Sequence, residues 1–573
     1  KGNKENKENK ENKENKENKE NKENKENKKI KNMVSVIVRS YNAIENINQS
    51  LDSIINQAYK NLEIIIIDDG STDKTVEILK KYRDTNDNIK LKELFYKTPG
   101  NSNVYNIGLN IANGEYIYFI EGNDYIEKNT IKILLNNAIK NSSDIVISNY
   151  YNIIKNKKVN SLYDNNYNNL LENINIENLS LINPSPWNKL YKKSFLKNKD
   201  IKFTTGDHLF EDYYWHWLNI INTNKISIIP YKLIYHRGNE ELIDKNYDLF
   251  HYFSVFYLIR NKVINNNILN NIFLSWIKNK NFVDNILLNN KKLHNKIKRI
   301  YNNFINNKTT YIKDLSIIIP VYKLKNYSFL DELTKKLSVN NNIEIIFIND
   351  NGKKENKLEE YYKKYNNVFL INNSKNIGGG RSRNKAIPII EGKYTHCLDC
   401  DDKIYINKYL KELNLLKKNQ YKYDILYFNF TVNKYQKYIS DRNNLKCLFP
   451  WFYFVKSSIV HDNSIFFGVT DIVNDLNYTM QVKYFSKVKF TSKEYIYDYS
   501  CGRLGSLSSK KDRINTIHSF YHTYLKLLDI YFDNIRNFIG FKDMLINKII
   551  SNNKSDEKKI LYFNNKYFNN VKH

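Results

Sequence analysis

The chain is poor in cysteine. Its 573 residues include four, Cys397, Cys400, Cys447 and Cys501. Nothing in their placement suggests a disulfide framework, so a reducing compartment is expected. Cys397 and Cys400 form a C-x-x-C, but no second such pair exists to complete a zinc site, and Cys400 lies inside an acidic motif. They read as structural cysteines. Long apolar runs are also missing. None approaches the roughly 20 residues that span a bilayer. No apolar residue precedes Ile30, which leaves no core for a signal peptide. Residues 1–32 repeat Lys-Glu-Asn triplets and cannot bury a helical face, so they are expected to be a disordered tail. The chain opens on Lys1, and Met33, directly before the first apolar run, reads as a natural start.

Acidic charge is in the minority, 61 residues against 90 Lys and Arg, for a formal net charge of +29. Clustered basic residues would point to nucleic acid. Here Lys is spread evenly among abundant Asn, Ile and Tyr, so no nucleic-acid partner is expected. A basic surface is instead drawn to anionic headgroups and anionic substrates. The expectation is a cytoplasmic protein with peripheral association at the inner face of the membrane. A hydrophobic content of 41% supports real cores, enough for two large domains with extras.

What the sequence does contain is one pattern written twice. Val34–Asn42 (VSVIVRSYN) recurs as Leu315–Lys323 (LSIIIPVYK), and Leu62–Gly70 (LEIIIIDDG) recurs at the same offset as Ile343–Asn351 (IEIIFINDN). Asn113–Asp124 (NGEYIYFIEGND) then recurs as Glu391–Asp402 (EGKYTHCLDCDD). Each copy has continuous β-branched runs of the kind buried on both faces of a parallel sheet. Amphipathic stretches such as 48–57 and 75–82 separate them. This alternation predicts an α/β fold. In such sheets ligands sit beyond the carboxyl ends of the strands. Asp68, Asp69, Glu121, Asp350, Asp399 and Asp401 all fall there.

The ordered set of VSVIV ending in Tyr-Asn, Ile66–Asp73 (IIDDGSTD), Asn-Gly-Glu-Tyr, the acidic cluster, Pro186–Tyr191 (PWNKLY) and Phe210–Asp212 resembles family 2 glycosyltransferases of the A-type fold. The resemblance covers about 35–240 and, more weakly, 315–510. It implies two tandem nucleotide-diphospho-sugar transferase domains, as in bifunctional polysaccharide synthases. The expected organisation is a tail at 1–32, domain one at 33–242, a helical connector at 243–312, domain two at 313–514 and C-terminal helices at 515–573.

The resemblance also implies roles. Asp69, with Asp68 beside it, and Asp350 would contact the nucleotide. A divalent cation, Mg or Mn, would offset charge on the leaving diphosphate. Its ligands would be Asp399 and Asp401 in copy two, and Glu121 in copy one, where Glu121-Gly-Asn-Asp124 departs from Asp-x-Asp. Arg383, in Gly378–Asn384 (GGGRSRN), would contact phosphate; the bland reading of that stretch is a flexible turn. Asp212 and the weaker counterpart Asp475 would be the bases that deprotonate the acceptor hydroxyl. Simpler roles stand beside these. Asp68–Ser71 reads equally as a turn with Ser71 or Thr72 capping a helix, Glu211 and Asp212 as first-turn charges, and His236 as a packing residue rather than an extra metal ligand. Copy one keeps the acceptor side of the pattern and copy two the donor side.

The expected activity is inverting transfer of sugars from nucleotide-sugar, most simply UDP-linked, donors to a surface glycan or lipid-linked glycan acceptor. The alternative is that one copy is a degenerate acceptor- or partner-binding module while the other catalyses. A sugar nucleotidyltransferase is disfavoured, because its Gly-rich signature is missing near the first strand.

Overall fold

The computed structural model describes residues 31–94, 102–161, 163–204, 210–237, 248–279, 290–432, 436–438, 450–463, 465–467 and 474–499. Nearly all of the expected tail, all of the expected C-terminal helices, and Cys447 and Cys501 lie outside them. The chain divides into two compact units: Lys1–Ile243 with Lys262–Asn279, and Asp244–Asn261 with Lys280–His573.

The strands of the first unit are β1 (Val34–Ser40), β2 (Leu62–Asp68), β3 (Ile89–Glu93), β4 (Tyr116–Glu121), β5 (Tyr125–Ile126), β6 (Ile145–Ile154), β7 (Lys157–Asn160), β8 (Lys189–Lys192) and β9 (Ile226–His236). They form one sheet in the order β3-β2-β1-β4-β8-β6-β9-β5, with β7 paired to β6. In the second unit they are β10 (Lys313–Val321), β11 (Ile343–Asn349), β12 (Val368–Asn372), β13 (Gly392–Cys397), β14 (Lys403–Ile404), β15 (Ile425–Val432), β16 (Gln436–Tyr438), β17 (Tyr453–Lys456) and β18 (Lys489–Tyr499). Their order, β12-β11-β10-β13-β17-β15-β18-β14 with β16 on β15, repeats the first strand for strand.

The written-twice runs are the buried centre of each sheet. Every residue of β2 and β11 is buried, and β1 pairs with β2 and β4 in parallel. The helix Ile47–Ile55 covers this centre with Ile47, Leu51 and Ile54. Beyond β4 the sheet is mixed: β8 runs antiparallel to both β4 and β6. β8 follows the short 3-10 turn Pro186–Asn188 rather than a crossover helix, which frees it from the parallel direction.

A glycine stands at the start of β13 (Gly392) and two residues before β4 (Gly114) for a steric reason. A Cβ on Gly392 would lie 2.3 Å from the Ser316 backbone nitrogen, and one on Gly114 would lie 2.6 Å from that of Ser35. The same backbone approach lets Gly392 N donate to Ser316 Oγ at 2.8 Å and Gly114 N donate to Ser35 Oγ at 2.8 Å. Each of these serines in turn donates to a buried glutamate, Glu344 or Glu63.

The segment between the repeats contributes helices to both units. In the first, the helix Asn267–Asn279 sets Phe273 and Trp276 against Trp217, at centroid distances of 5.3 and 5.5 Å. In the second, the helix Lys291–Ile305 buries Lys296 completely between Glu344 and Glu391, with Arg299 also on Glu391. No described helix is long and apolar enough to cross a membrane.

Candidate functional site

The ends of β1, β2 and β4 collect the first copy's charged groups. In the β1–β4 pairing Arg39 is opposite Glu121, and Ser40 is opposite Asp68 across β1–β2. Arg39 uses Nη1 on Glu121 Oε2 at 2.9 Å and Nη2 on Asp69 Oδ2 at 3.1 Å. The Tyr105 hydroxyl donates to the other Glu121 oxygen. Burial works against the Arg39 charge, yet Glu121 and Asp69 outweigh it and hold its pKa above the ordinary value.

Asp68 is turned away from this group. It accepts from Ser71 N at 2.9 Å and Ser71 Oγ at 2.5 Å. Burial pushes its carboxyl up, and the Ser71 bonds oppose that. Ser71 and Thr72 do not cap the following helix, Thr75–Thr85. Instead they bond Asn42, and Asp73 accepts from Thr75 N at 2.9 Å. The turn forms as expected, but the helix begins only at Thr75, beyond the reach of Ser71 and Thr72 as caps.

The two-residue strand β5 pairs with the end of β9 and so brings His236 back to the acidic cluster. His236 Nδ1 lies 2.8 Å from Asp124 Oδ2, and Asp124 Oδ1 accepts from Arg237 N at 2.8 Å. The imidazole stacks on Trp187 at 4.3 Å. Burial favours neutral His236, but Asp124, Glu121 and Asp212 together raise its pKa.

Asp212 lies in the first turn of the helix Glu211–Asn222, which is anchored by Trp215 stacked on Phe203 at 3.8 Å. Its Oδ2 accepts from Ser185 Oγ at 2.9 Å. Burial pushes its carboxyl up to about 6, with Ser185 opposing and Glu121 adding to the rise. Lys189, whose Nζ donates to Asn183 O and Ser185 O, is lowered by burial to about 7, with Asp212 pulling the other way. A carboxyl poised near neutrality next to donor-side carboxylates is suited to proton transfer.

The second copy keeps the scaffold and rearranges the charges. Asp350 is buried and accepts from Asn373 Nδ2 at 2.9 Å, Ile377 N at 2.9 Å and Gly378 N at 3.0 Å. These bonds fix the Gly-rich stretch. It is not a flexible turn: Gly378, at φ 86°, leads into the helix Gly379–Ala386. That helix presents Arg383, which bonds Asp399 through Nη2 and approaches Asp475 Oδ1 at 3.5 Å through Nη1. Asp475 is pushed up to about 6 by burial, with Arg383 opposing and Asp399 reinforcing. Asp402 is buried and accepts from the Tyr497 hydroxyl at 2.5 Å.

Carboxylate oxygens of Asp399, Asp401 and Asp402 lie within 4.8 Å of one another, with Asp401 exposed. Three hard oxygen donors around one point fit a Mg or Mn ion. In the first copy the matching positions are Glu121, Asn123 and Asp124. Glu121 is held by Arg39 and Tyr105, and Asp124 by His236 and Arg237. Copy two carries comparable contacts, Arg383 on Asp399 and Tyr497 on Asp402, so what sets copy one apart is the uncharged Asn123 in the place of Asp401. In the C-x-x-C, Cys397 is buried and Cys400 half-buried, the two are not joined in a disulfide, and burial pushes both thiols up to about 12.

The motifs led to Asp69, Asp212, Glu121, Arg383, Asp399 and Asp475, and the structure brings them into two groups. They missed Arg39, Ser185 and Tyr497, while Lys189 lay inside the Pro186–Tyr191 motif without a role of its own. Arg39 had a signal: it stands in the repeat where copy two has Pro320.

A model of glycosyl transferase family 2 matches residues 35–198 and 316–471. Among curated proteins, glycosyltransferase GlyA of Streptococcus pneumoniae is 33% identical over 215 residues, 35% of this chain and 29% of that protein. Poly(ribitol-phosphate) beta-N-acetylglucosaminyltransferase TarS of Staphylococcus aureus is 29% identical over 211 residues, 36% of each. The chain thus spans about a third of the length of these relatives. The crystal structure of TarS 1–349 in complex with UDP-GlcNAc superposes at a TM-score of 0.40 with 21% identity, over 48% of this chain and 81% of that one.

Proposed function

Since this chain belongs to glycosyl transferase family 2, whose model covers more than half of it, we propose that it is an inverting glycosyltransferase that moves sugars from UDP-linked donors to a glycan or lipid-linked glycan acceptor. The observation that carries this reading is the placement of Asp212: a half-buried carboxyl in the first turn of its helix, oriented by Ser185 at 2.9 Å and close enough to Glu121 for that acid to add to its raised pKa. In this reading Asp69 and Asp350 face the nucleotide. Asp212 removes the proton from the acceptor hydroxyl as that oxygen attacks the anomeric carbon, and one in-line displacement inverts the centre. Trp187, stacked on His236, floors the acceptor side. In copy two Asp399, Asp401 and Asp402 would hold a divalent cation, which when bound offsets charge on the leaving diphosphate. The net charge of +29 supports working at an anionic membrane surface on the cytoplasmic side.

The domain scheme proposed is a transferase domain at 33–242, a connector at 243–312 and a second transferase domain at 313–514, flanked by the tail and the C-terminal helices. A division of labour between the copies is favoured by one contact: Arg383 lies against Asp475, whereas Asp212 has no arginine on it in the described contacts. Arg383 stands on Asp475 and would have to move before an acceptor hydroxyl could reach that carboxylate, so in this reading copy one catalyses and copy two grips a nucleotide or acceptor.

Two measurements test this. Calorimetry with UDP and Mn²⁺ on Asp401→Ala should lose the metal-dependent gain in affinity, by about tenfold or more, because ligand charge sets cation affinity over decades. Unchanged binding sinks the cation assignment. The pH profile tests the base. Only ionised Asp212 accepts a proton, so transfer should fall about tenfold per pH unit below about pH 6 and level off above it. A flat profile between pH 5 and 7 would remove Asp212 from the role.

A further inference from the structure

The two copies place one guanidinium on the first acid of the strand-end cluster, but from different elements. Repeat alignment sets Arg39 against Pro320, Tyr105 against Arg383, Glu121 against Asp399 and Asp69 against Asp350. In copy two the arginine rises from a helix and bonds Asp399, with Asp475 as its second neighbour. In copy one it comes from the end of β1 and bridges Glu121 and Asp69. Its side chain is 11% exposed and that of Asp69 is 0% exposed. Tyr105 satisfies the remaining oxygen of Glu121. The third acid, Asp124, is engaged by His236 and the Arg237 amide, and the middle position is the uncharged Asn123.

A divalent cation entering copy one would, as in copy two, have to displace a guanidinium paired with two carboxylates. It would then find one formal charge fewer than copy two offers. The guanidinium already places a fixed positive charge between Glu121 and Asp69 and offsets one of their two negative charges. It stays charged at any working pH, and its fork of N–H donors matches phosphate oxygens. Two of its donors are used in the carboxylate bridge, and Nε is buried with no hydrogen-bond partner among the described residues.

We propose that the first domain binds the diphosphate of its donor without a divalent cation, Arg39 providing the positive charge, so that one chain carries a cation-independent and a cation-dependent nucleotide site. The inference rests on the reading of the chain as a nucleotide-sugar transferase.

The test uses the full chain carrying Asp401→Ala, which disables the copy-two cation site, and titrates it calorimetrically with UDP, then with GDP in a second series. The expected result is one site per chain in excess EDTA whose affinity does not change when Mn²⁺ replaces EDTA. Adding Arg39→Gln should weaken that site at least tenfold, and Arg39→Lys should weaken it less. Binding that appears only with Mn²⁺ overturns the inference and leaves the transferase reading intact. EDTA-resistant binding that survives Arg39→Gln overturns it as well. No nucleotide bound under any condition removes the donor-binding reading on which it stands. Should Arg39→Gln fail to fold, the EDTA and Mn²⁺ titrations of the Asp401→Ala chain decide the question alone.

Discussion

Asp212→Asn should lower transfer by about 10²–10⁴-fold while UDP affinity stays the same, the loss typical of a removed general base. The amide keeps the shape, and its oxygen can still accept from Ser185 Oγ, so the helix Glu211–Asn222 should remain seated through Trp215 on Phe203. What goes is the lone pair basic enough to take a proton. If Glu211 and Asp212 served merely as first-turn charges, the substitution would cost at most about 1 kcal/mol of stability and no activity. The measurement is paired: UDP affinity by calorimetry and single-turnover transfer, in a chain that also carries Asp475→Asn so that copy two cannot mask the effect. Near-normal turnover refutes the assignment.

Lys296→Met should destabilise the second unit by about 3–5 kcal/mol, the cost of stranding buried charge by removing its partner. Lys296, Glu344 and Glu391 have 0% side-chain exposure. Burial opposes the ionised form of Glu391, yet Arg299 and Lys296 hold its pKa below the ordinary range. Without Lys296, Arg299 still meets Glu391, but the charge on Glu344 faces only Ser316 Oγ and the Glu391 amide among its described hydrogen bonds. Adding Glu344→Gln should recover a large part of the loss. Urea unfolding of the full chain, followed on the transition of this unit, would read both variants. A change below about 1 kcal/mol for Lys296→Met would show that water reaches the pocket. The corresponding glutamate of copy one, Glu63, is served by the half-exposed Lys90, together with Ser35 and Asn113. Lys90→Met should therefore cost far less.

The duplicated sheet was legible because both copies bury the same strands, and burial on two faces writes continuous Ile and Val runs. The antiparallel strands β8 and β17 were not, since four residues carry too little pattern to set a direction. Strand-end acids were legible by position, but their partners were not. Ser185 meets Asp212 across 27 residues, and Tyr105 meets Glu121 across 16, distances at which only the fold decides proximity. The Gly-rich stretch before Arg383 was open to two readings because three glycines have low helix propensity. Asp350 overrides that by bonding the amides of Ile377 and Gly378. The helical pattern of 243–312 was visible, yet periodicity shows which face is apolar and not which sheet will cover it. Its helices are shared between the two units.

The exchanged arginines bear on how two such similar halves stayed different. Repeats within one gene tend to be homogenised by recombination, which copies a stretch of one over the other. A crossover between the β1 end and the following helix would create a half with both Arg39 and an arginine at the Tyr105 position, or a half with neither. The first crowds two guanidiniums onto one acid; the second leaves Glu121 or Asp399 without a cation. Exchanging either segment alone would therefore unbalance the charge of the cluster that receives it, so the two arginine positions can be swapped between the halves only as a pair.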